Sequence, residues 1–246
     1  MKKTFLYLSL ASLIGSVSAP TALSANDFVT NWMDSLYVST FVGGHFLPDI
    51  ETDVTYTYPV DPTIFDDDTY NQETGFAARL ALGGHVNRFV RSELELGFSR
   101  SNQGSIVYGL IGGGPRTLDV GHGEIDFISL MANAWIDLPL LDTSWGLTPY
   151  VGGGIGAALV SPNLVYTNTP AYGPQESSVE LAAQLGAGVN WAFNDRFSAG
   201  VGYRFMVING PEISQLTDAN AGEITTYRFD DLLSHSVGIT LTMNLN

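Results

Sequence analysis

Nine charged or amide residues stand out because they lie in runs that are otherwise apolar or small. In the clearest case Arg91, Glu93 and Glu95 are spaced two positions apart. Side chains at that spacing share one face of a β-strand, and charged groups there must avoid an apolar environment. Guanidinium and carboxylate groups confined on such a face form ion pairs. The complete set is Arg79, Arg91, Glu93, Glu95, Asn133, Glu180, Gln184, Asn190 and Arg204.

Histidines are the other residues that could do chemistry, as general acids or bases. His235 lies between Ser234 and Ser236. Adjacent strand residues point to opposite faces, so these neighbours cannot form a dyad with it directly. The other three histidines are isolated in the sequence: His45, His85 and His122. No catalytic residue is predicted, because no constellation of base, nucleophile and orienting group is recognisable.

Two short stretches invite ligand-binding interpretations. Asp66–Asp68 could bind Ca²⁺ through hard oxygen ligands, but the loop glycine and distal glutamate of an EF-hand are absent. A solvated acidic loop is the favoured interpretation, because charge runs are usually solvated. The glycine-rich stretch Gly112–Pro115 lacks the Lys-Ser/Thr of a phosphate-binding loop. No metal ligand and no cofactor is predicted.

The elements that must position the polar residues are β-strands. Residues 179–191 and 197–207 alternate apolar residues with polar residues or glycine, and Asn194–Asp195 turns the chain between them. About 9–11 tilted residues of this pattern cross a bilayer in a transmembrane barrel, where one face meets lipid. A soluble β-sandwich also alternates and is the competing interpretation.

The strand count and the loop lengths favour the membrane barrel. Long connections at 47–73, 102–122, 160–177 and 209–231 alternate with three short turns, as in outer-membrane barrels. Within the first long connection, residues 54–58 alternate and could extend the barrel wall. The prediction is an all-β, eight-stranded, antiparallel up-and-down transmembrane β-barrel with four long external loops and three short periplasmic turns. Its strands are residues 36–46, 75–86, 89–100, 124–137, 147–159, 179–191, 197–207 and 232–244, and the lipid face of the first is undecided.

An eight-stranded barrel is just wide enough for side chains to fill its interior. The nine polar residues are predicted to lie there, where they form either a salt-bridged plug or a narrow gated ion path. The small lumen favours the plug. A girdle of interfacial aromatic residues is predicted near the short turns, formed by Phe89, Trp135, Trp145, Tyr150, Trp191, Phe193 and Phe197.

The start of the chain and its composition bound the remaining possibilities. Residues 1–25, with Lys2 and Lys3 before an apolar run, are predicted to be a secretory signal peptide, which leaves 26–246 as one barrel domain. Beyond that segment eight arginines face 25 acidic residues, which excludes nucleic acid as a partner and favours cations or basic partners. The chain has no cysteine, so disulfides and thiolate metal sites are excluded.

Two segments carry a family resemblance. Residues 149–158, PYVGGGIGAA, and 197–206, FSAGVGYRFM, resemble segments of the OmpA-like outer-membrane β-barrel family of small barrels, surface antigens and "porin family" proteins. The chain ends on Asn244–Asn246 where this family commonly has a terminal aromatic residue, and a barrel without a peptidoglycan-binding domain is expected. The resemblance implies a location in the cell outer membrane. It also implies contact with outer-membrane lipid and lipopolysaccharide, and insertion by the barrel-assembly machinery.

The function predicted from these observations is that of a monomeric, non-enzymatic barrel that supports the outer membrane. Its acidic external loops would contact an extracellular partner. A narrow cation-preferring channel is the alternative, suggested by the negative charge. An outer-membrane enzyme such as a lipid A deacylase is the third interpretation, and conductance and turnover measurements separate the three.

Overall fold

The computed structural model describes residues 32–57, 64–108, 116–119, 123–138, 146–165, 174–218 and 223–245. The predicted signal peptide, His122, Trp145 and the glycine-rich stretch 112–115 lie outside the described residues, as does the side chain of Asp66. The described strands are β1 (Tyr37–Phe46), β2 (Ile50–Thr57), β3 (Ile64–Gln72), β4 (Gly75–His85), β5 (Val90–Tyr108), β6 (Arg116–Asp119), β7 (Glu124–Asp137), β8 (Leu147–Asn163), β9 (Ser178–Ala192), β10 (Phe197–Ile208), β11 (Glu212–Asp218), β12 (Glu223–Phe229) and β13 (Leu232–Asn244).

Eight of these strands form a closed antiparallel barrel. Going round the wall, the order is β1, β4, β5, β7, β8, β9, β10 and β13, and β13 pairs with β1 to close it. Closure removes the free strand edges that a bilayer could not hydrogen-bond. The predicted eight-stranded barrel is therefore confirmed, and five further strands are added to it.

Alternation along the wall separates an outer face from a lumen face. On β1 Tyr37, Phe41 and His45 are buried in the lumen, while Val42 and Phe46 are exposed on the outside. This decides the face of the first strand, which the sequence left open. The wide outer surface of exposed valine, leucine and isoleucine side chains on the other strands is the apolar band that lipid requires.

The five additional strands lie in the predicted long loops and build a second tier above the barrel. There β11, β12, β2, β3 and the upper part of β5 pair in that order, and β6 pairs with the other edge of β5. Residues 47–73 are thus largely a β-hairpin rather than an irregular loop. The reason is visible in β2, where Ile50 and Val54 are buried while Glu51 and Asp53 face outward. We call this tier the outer sheet.

The two short turns that the structure describes in full are closed by asparagine side chains. Asn87 Oδ1 accepts hydrogen bonds from the backbone N–H groups of Phe89 and Val90. Asn194 Oδ1 accepts from those of Arg196 and Phe197 in the same way. Such side-chain-to-backbone bonds reverse the chain in few residues.

The predicted aromatic girdle is partly wrong. Trp191, Phe193 and Phe197 are exposed on the outer surface next to a short turn, as an interfacial girdle requires. Trp135 and Tyr150 instead point into the lumen and are almost completely buried. Both occupy inward positions of their strands, and the glycines opposite them leave room for large rings.

Charged residues mark the upper limit of the lipid band on the outside of the wall. Arg100 of β5 forms a two-pronged ion pair with Asp126 of β7, with N–O distances of 2.6 Å, and a further pair with Glu124 at 2.9 Å. Below this group most outward positions of β5 and β7 are apolar, including Leu96 and Ile128. In the described part of the chain no helix is both long and apolar enough to span a bilayer.

Candidate functional site

The candidate site is the polar lumen, and the structure buries seven of the nine predicted residues in it. Their exposed fractions are only 2–7 %. The seven are Arg79, Arg91, Glu93, Glu95, Asn133, Gln184 and Arg204. Glu180 and Asn190 also occupy inward positions of β9 but are only half-buried. Glu180 accepts a hydrogen bond from Ser178, and Asn190 lies near the periplasmic end of the strand. We call the seven residues the lumen cluster.

Glu93 accepts hydrogen bonds from three different side chains inside the lumen. Its Oε1 accepts from the Tyr37 hydroxyl at 2.7 Å and from Arg91 Nη1 at 3.0 Å. Its Oε2 accepts from Trp135 Nε1 at 2.7 Å. Arg91 also donates from Nε to Asp137 at 3.1 Å. Because charge-assisted bonds to a buried carboxylate are strong, Glu93 ties together β1, β5 and β7.

A second group of the lumen cluster surrounds Glu95. Its carboxylate lies 3.7 Å from Arg79 Nε and accepts from Gln184 Nε2 at 3.0 Å. The same Gln184 nitrogen lies 2.6 Å from Asn133 Oδ1. Arg79 also donates to the Ser236 hydroxyl at 3.1 Å. These bonds cross the lumen from β4 and β5 to β9 and β13.

Arg204 is held by aromatic rings. Its guanidinium carbon lies 4.2 Å from the ring centre of Trp135 and 5.6 Å from that of Tyr150. Its Nη1 donates to the Tyr150 hydroxyl at 3.3 Å. Among the described residues no carboxylate forms an ion pair with it, so cation–π contact and these hydrogen bonds replace a counter-ion.

The aromatic partners Tyr37, Trp135 and Tyr150 were missed as lumen residues at the sequence level. A signal was present, because Trp135 follows Asn133 at a spacing of two and therefore shares its face. The proximity of Trp135 and Tyr150 to short turns suggested a position at the membrane interface instead. The spacing of two along the strand indicated the correct face, that of the lumen.

In the structure Ser234 and Ser236 contact a different histidine from the one that lies between them in the sequence. His235 points outward and contacts the Tyr203 hydroxyl through Nδ1 at 2.7 Å. Its neighbours Ser234 and Ser236 point inward, where their hydroxyls lie 3.3 and 3.4 Å from Nδ1 of His45. His45 is completely buried, and these contacts link β1 to β13.

Glycines form the lumen wall opposite the large side chains of Tyr150 and Trp135. A Cβ atom at Gly188 would lie 2.5 Å from the Tyr150 hydroxyl, and one at Gly152 would lie 2.6 Å from Trp135 Cε3. Real side chains do not approach so closely, so the rings occupy the space that the glycines leave.

Above the lumen cluster, apolar side chains fill the barrel up to the outer sheet. They form one buried cluster, which we call the outer apolar core. It draws on the barrel wall and on the outer sheet alike, and its members include Ile125, Phe127, Val160 and Ile208 from the wall and Ile50, Val54, Tyr70, Ile213 and Tyr227 from the outer sheet.

The outward surface of the outer sheet is acidic. Glu51, Asp53, Asp67 and Glu212 are exposed there. Arg228 donates from Nη2 to Glu212 at 2.7 Å, and this bonding raises the pKa of the arginine above its usual value. Within the parts of the chain that the structure describes, no three His, Cys, Asp or Glu side chains are grouped so that they could hold a metal ion.

Comparison with known proteins gives one family and several similar folds. The model of the family described as outer membrane protein beta-barrel domain matches residues 9–238. OprG, an outer membrane protein from Pseudomonas aeruginosa, has a TM-score of 0.50 and 15 % sequence identity, with 85 % of this chain and 97 % of that chain covered. Neisserial surface protein A has a TM-score of 0.46 and 14 % sequence identity, again with 85 % of this chain and 97 % of that chain covered. An uncharacterised protein of Brucella abortus (strain 2308) is 30 % identical over 165 residues, which cover 58 % of this chain and 57 % of that protein's length.

Proposed function

This chain belongs to the outer membrane protein beta-barrel domain family and resides in the outer membrane, and from that premise we propose that it is a non-enzymatic, non-conducting barrel. In this proposal the barrel holds an acidic β-sheet at the cell surface, where the sheet contacts an extracellular partner. The observation that carries the proposal is the filled lumen. The seven lumen-cluster side chains are 2–7 % exposed although they are charged or polar. An ion path requires a continuous file of water, which would leave such side chains accessible.

Two further features support the proposal. The outer apolar core lies above the lumen cluster, so an ion would meet a hydrophobic barrier as well as a polar one. The histidine–serine contacts around His45 are completely buried and lack the access that a substrate requires.

Planar-bilayer conductance tests the closed barrel. We expect the refolded chain, shown to be folded by a heat-modifiable gel shift, to give no steady channels, because side chains fill its lumen. A 16-stranded porin inserted under the same conditions is the positive control. Steady, cation-selective channels that change on Glu93→Gln would contradict the proposal and favour the narrow channel instead.

The surface role predicts that binding of basic partners depends on the outer sheet. In nanodiscs of zwitterionic lipid, Glu51→Gln with Asp53→Asn is expected to weaken binding of a fluorescent oligolysine peptide several-fold, and less so at high salt. Asp34→Asn with Asp195→Asn removes the same charge from exposed positions at the other end of the barrel and is the matched control. Equal loss in both variants would show that net charge, rather than the outer sheet, determines binding.

A further inference from the structure

The chain just after β8 behaves unlike a wall strand. Leu164 and Val165 are adjacent, yet they are exposed by only 0 % and 1 %. Neighbouring residues of a wall strand face opposite sides, so one of the two would be outside. Both instead belong to the outer apolar core. The chain therefore turns inward at Leu164 and Val165, over the outer apolar core. We call Leu164–Val165 the mouth segment.

One side chain holds the backbone of the mouth segment. Gln103 Nε2 donates to the Val165 carbonyl at 3.0 Å, and Gln103 Oε1 accepts from the Val165 N–H at 2.8 Å. The amide thus makes the pair of hydrogen bonds that a neighbouring strand would make. Gln103 itself is buried.

The position of Gln103 explains why a side chain takes this role. At the top of the wall Asn102 of β5 pairs with Glu124, which pairs with Asn163 of β8. One residue further up, just before β7 begins, the Gly123 carbonyl accepts a hydrogen bond from the Gln103 N–H at 2.9 Å. The buried Gln103 side chain reaches past Gly123 to the chain that follows β8.

The local backbone is shaped for this contact. The register of β5 against β3 shifts next to Gln103, between the pairs Asn71–Ser105 and Gln72–Gln103, and such bulges re-aim side chains. Gly123 has φ +145°, and a Cβ atom there would collide with Gln103 Oε1. Only glycine leaves room for the amide at this conformation.

We infer that the mouth segment is a closing device for the outer end of the barrel, and that Gln103 is the positioning residue that keeps it closed. The inference rests on the proposed function in that it takes the resting barrel to be closed. It goes further by naming the place where the outer apolar core can open to the cell exterior. When the two hydrogen bonds to Val165 are released, the mouth segment can swing outward about the end of β8.

The test uses a buried cysteine, which is unique because the chain has none of its own. Ile208 is fully buried in the outer apolar core, on β10, which pairs with neither β5 nor β8. Ile208→Cys is introduced alone and together with Gln103→Leu, and labelling by a water-soluble maleimide is timed on folded protein in vesicles. We expect Gln103→Leu to raise the labelling rate about 10- to 30-fold, as the loss of two hydrogen bonds would.

Three further variants sharpen the result. Gln103→Glu keeps the acceptor for the Val165 N–H but places a buried carboxylate oxygen against the Val165 carbonyl, so a labelling rate at least as high as that of Gln103→Leu is expected. Gly123→Ala displaces the Gln103 amide and should act like Gln103→Leu. Gln175→Leu makes the same side-chain change at an exposed position and is the control that should leave the rate unchanged.

The outcomes separate this inference from the proposed function. If labelling is slow in every variant, or fast without any change at Gln103, the mouth segment is not held closed by Gln103 and the inference fails. Conductance reports the proposed function independently, because the lumen cluster still fills the barrel below. We therefore expect Gln103→Leu to label rapidly and still not conduct. Each variant is first checked for folding by the heat-modifiable gel shift.

Discussion

Replacing Glu93 with alanine is expected to lower the free energy of unfolding of the barrel by about 3–5 kcal/mol, the usual loss when one partner of a buried ion pair is removed. The change leaves Arg91 with one carboxylate partner fewer in the lumen, and it removes the acceptor of both Tyr37 and Trp135. Urea unfolding in lipid vesicles, followed by tryptophan fluorescence, measures the effect.

Two comparisons make this prediction specific. Glu51→Ala removes a carboxylate from the exposed face of the outer sheet and should change stability little, because isolated surface charges contribute little. The double variant Glu93→Ala with Arg91→Ala should lose less than the sum of the two single losses, because the residues share one network. A Glu93→Ala barrel as stable as the Glu51→Ala barrel would mean that Glu93 does not link the strands as the structure indicates.

The wall of the barrel could be predicted from the sequence because alternation is a local property. Most predicted strands end within one or two residues of the observed ones, and Arg91, Glu93 and Glu95 lie in the lumen as their spacing implied. The main exception in length is β5, which was predicted to end at Arg100 and continues to Tyr108. Its upper part is stabilised by β3 and β6, partners that a single strand's pattern does not reveal.

The contacts inside the lumen could not be predicted, because they depend on register between strands distant in the chain. His45 meets Ser234 and Ser236 only because β1 and β13 close the barrel. Nothing in the sequence indicated a structural role for Gln103, since a single glutamine in a polar stretch forms no recognisable pattern with its neighbours. Its role follows from where β7 begins relative to β5 and β8, which is a property of the assembled sheet.

The strongest steric prediction concerns the glycines of the lumen wall. Gly188→Val is expected to lower the free energy of unfolding by at least about 3 kcal/mol, at the upper end of the range for overpacking. The first added carbon would lie 2.5 Å from both the Tyr150 hydroxyl and the Val201 carbonyl oxygen. The ring cannot retreat easily, because Arg204 and Trp135 pack against it. Urea unfolding in vesicles measures the loss, and the gel shift reports whether the barrel forms.

Gly44→Val is the matched control, because it makes the same substitution on the lipid face. The neighbours that a Cβ atom at Gly44 would meet are the Phe46 ring atoms, at 3.4 Å, an ordinary van der Waals distance. A β-branched residue also suits a strand facing lipid, so stability should be unchanged or slightly higher. If Gly188→Val and Gly44→Val were equally stable, the lumen would have free space beside Tyr150. The closed barrel proposed above would then lose its physical basis, since the same space would admit water.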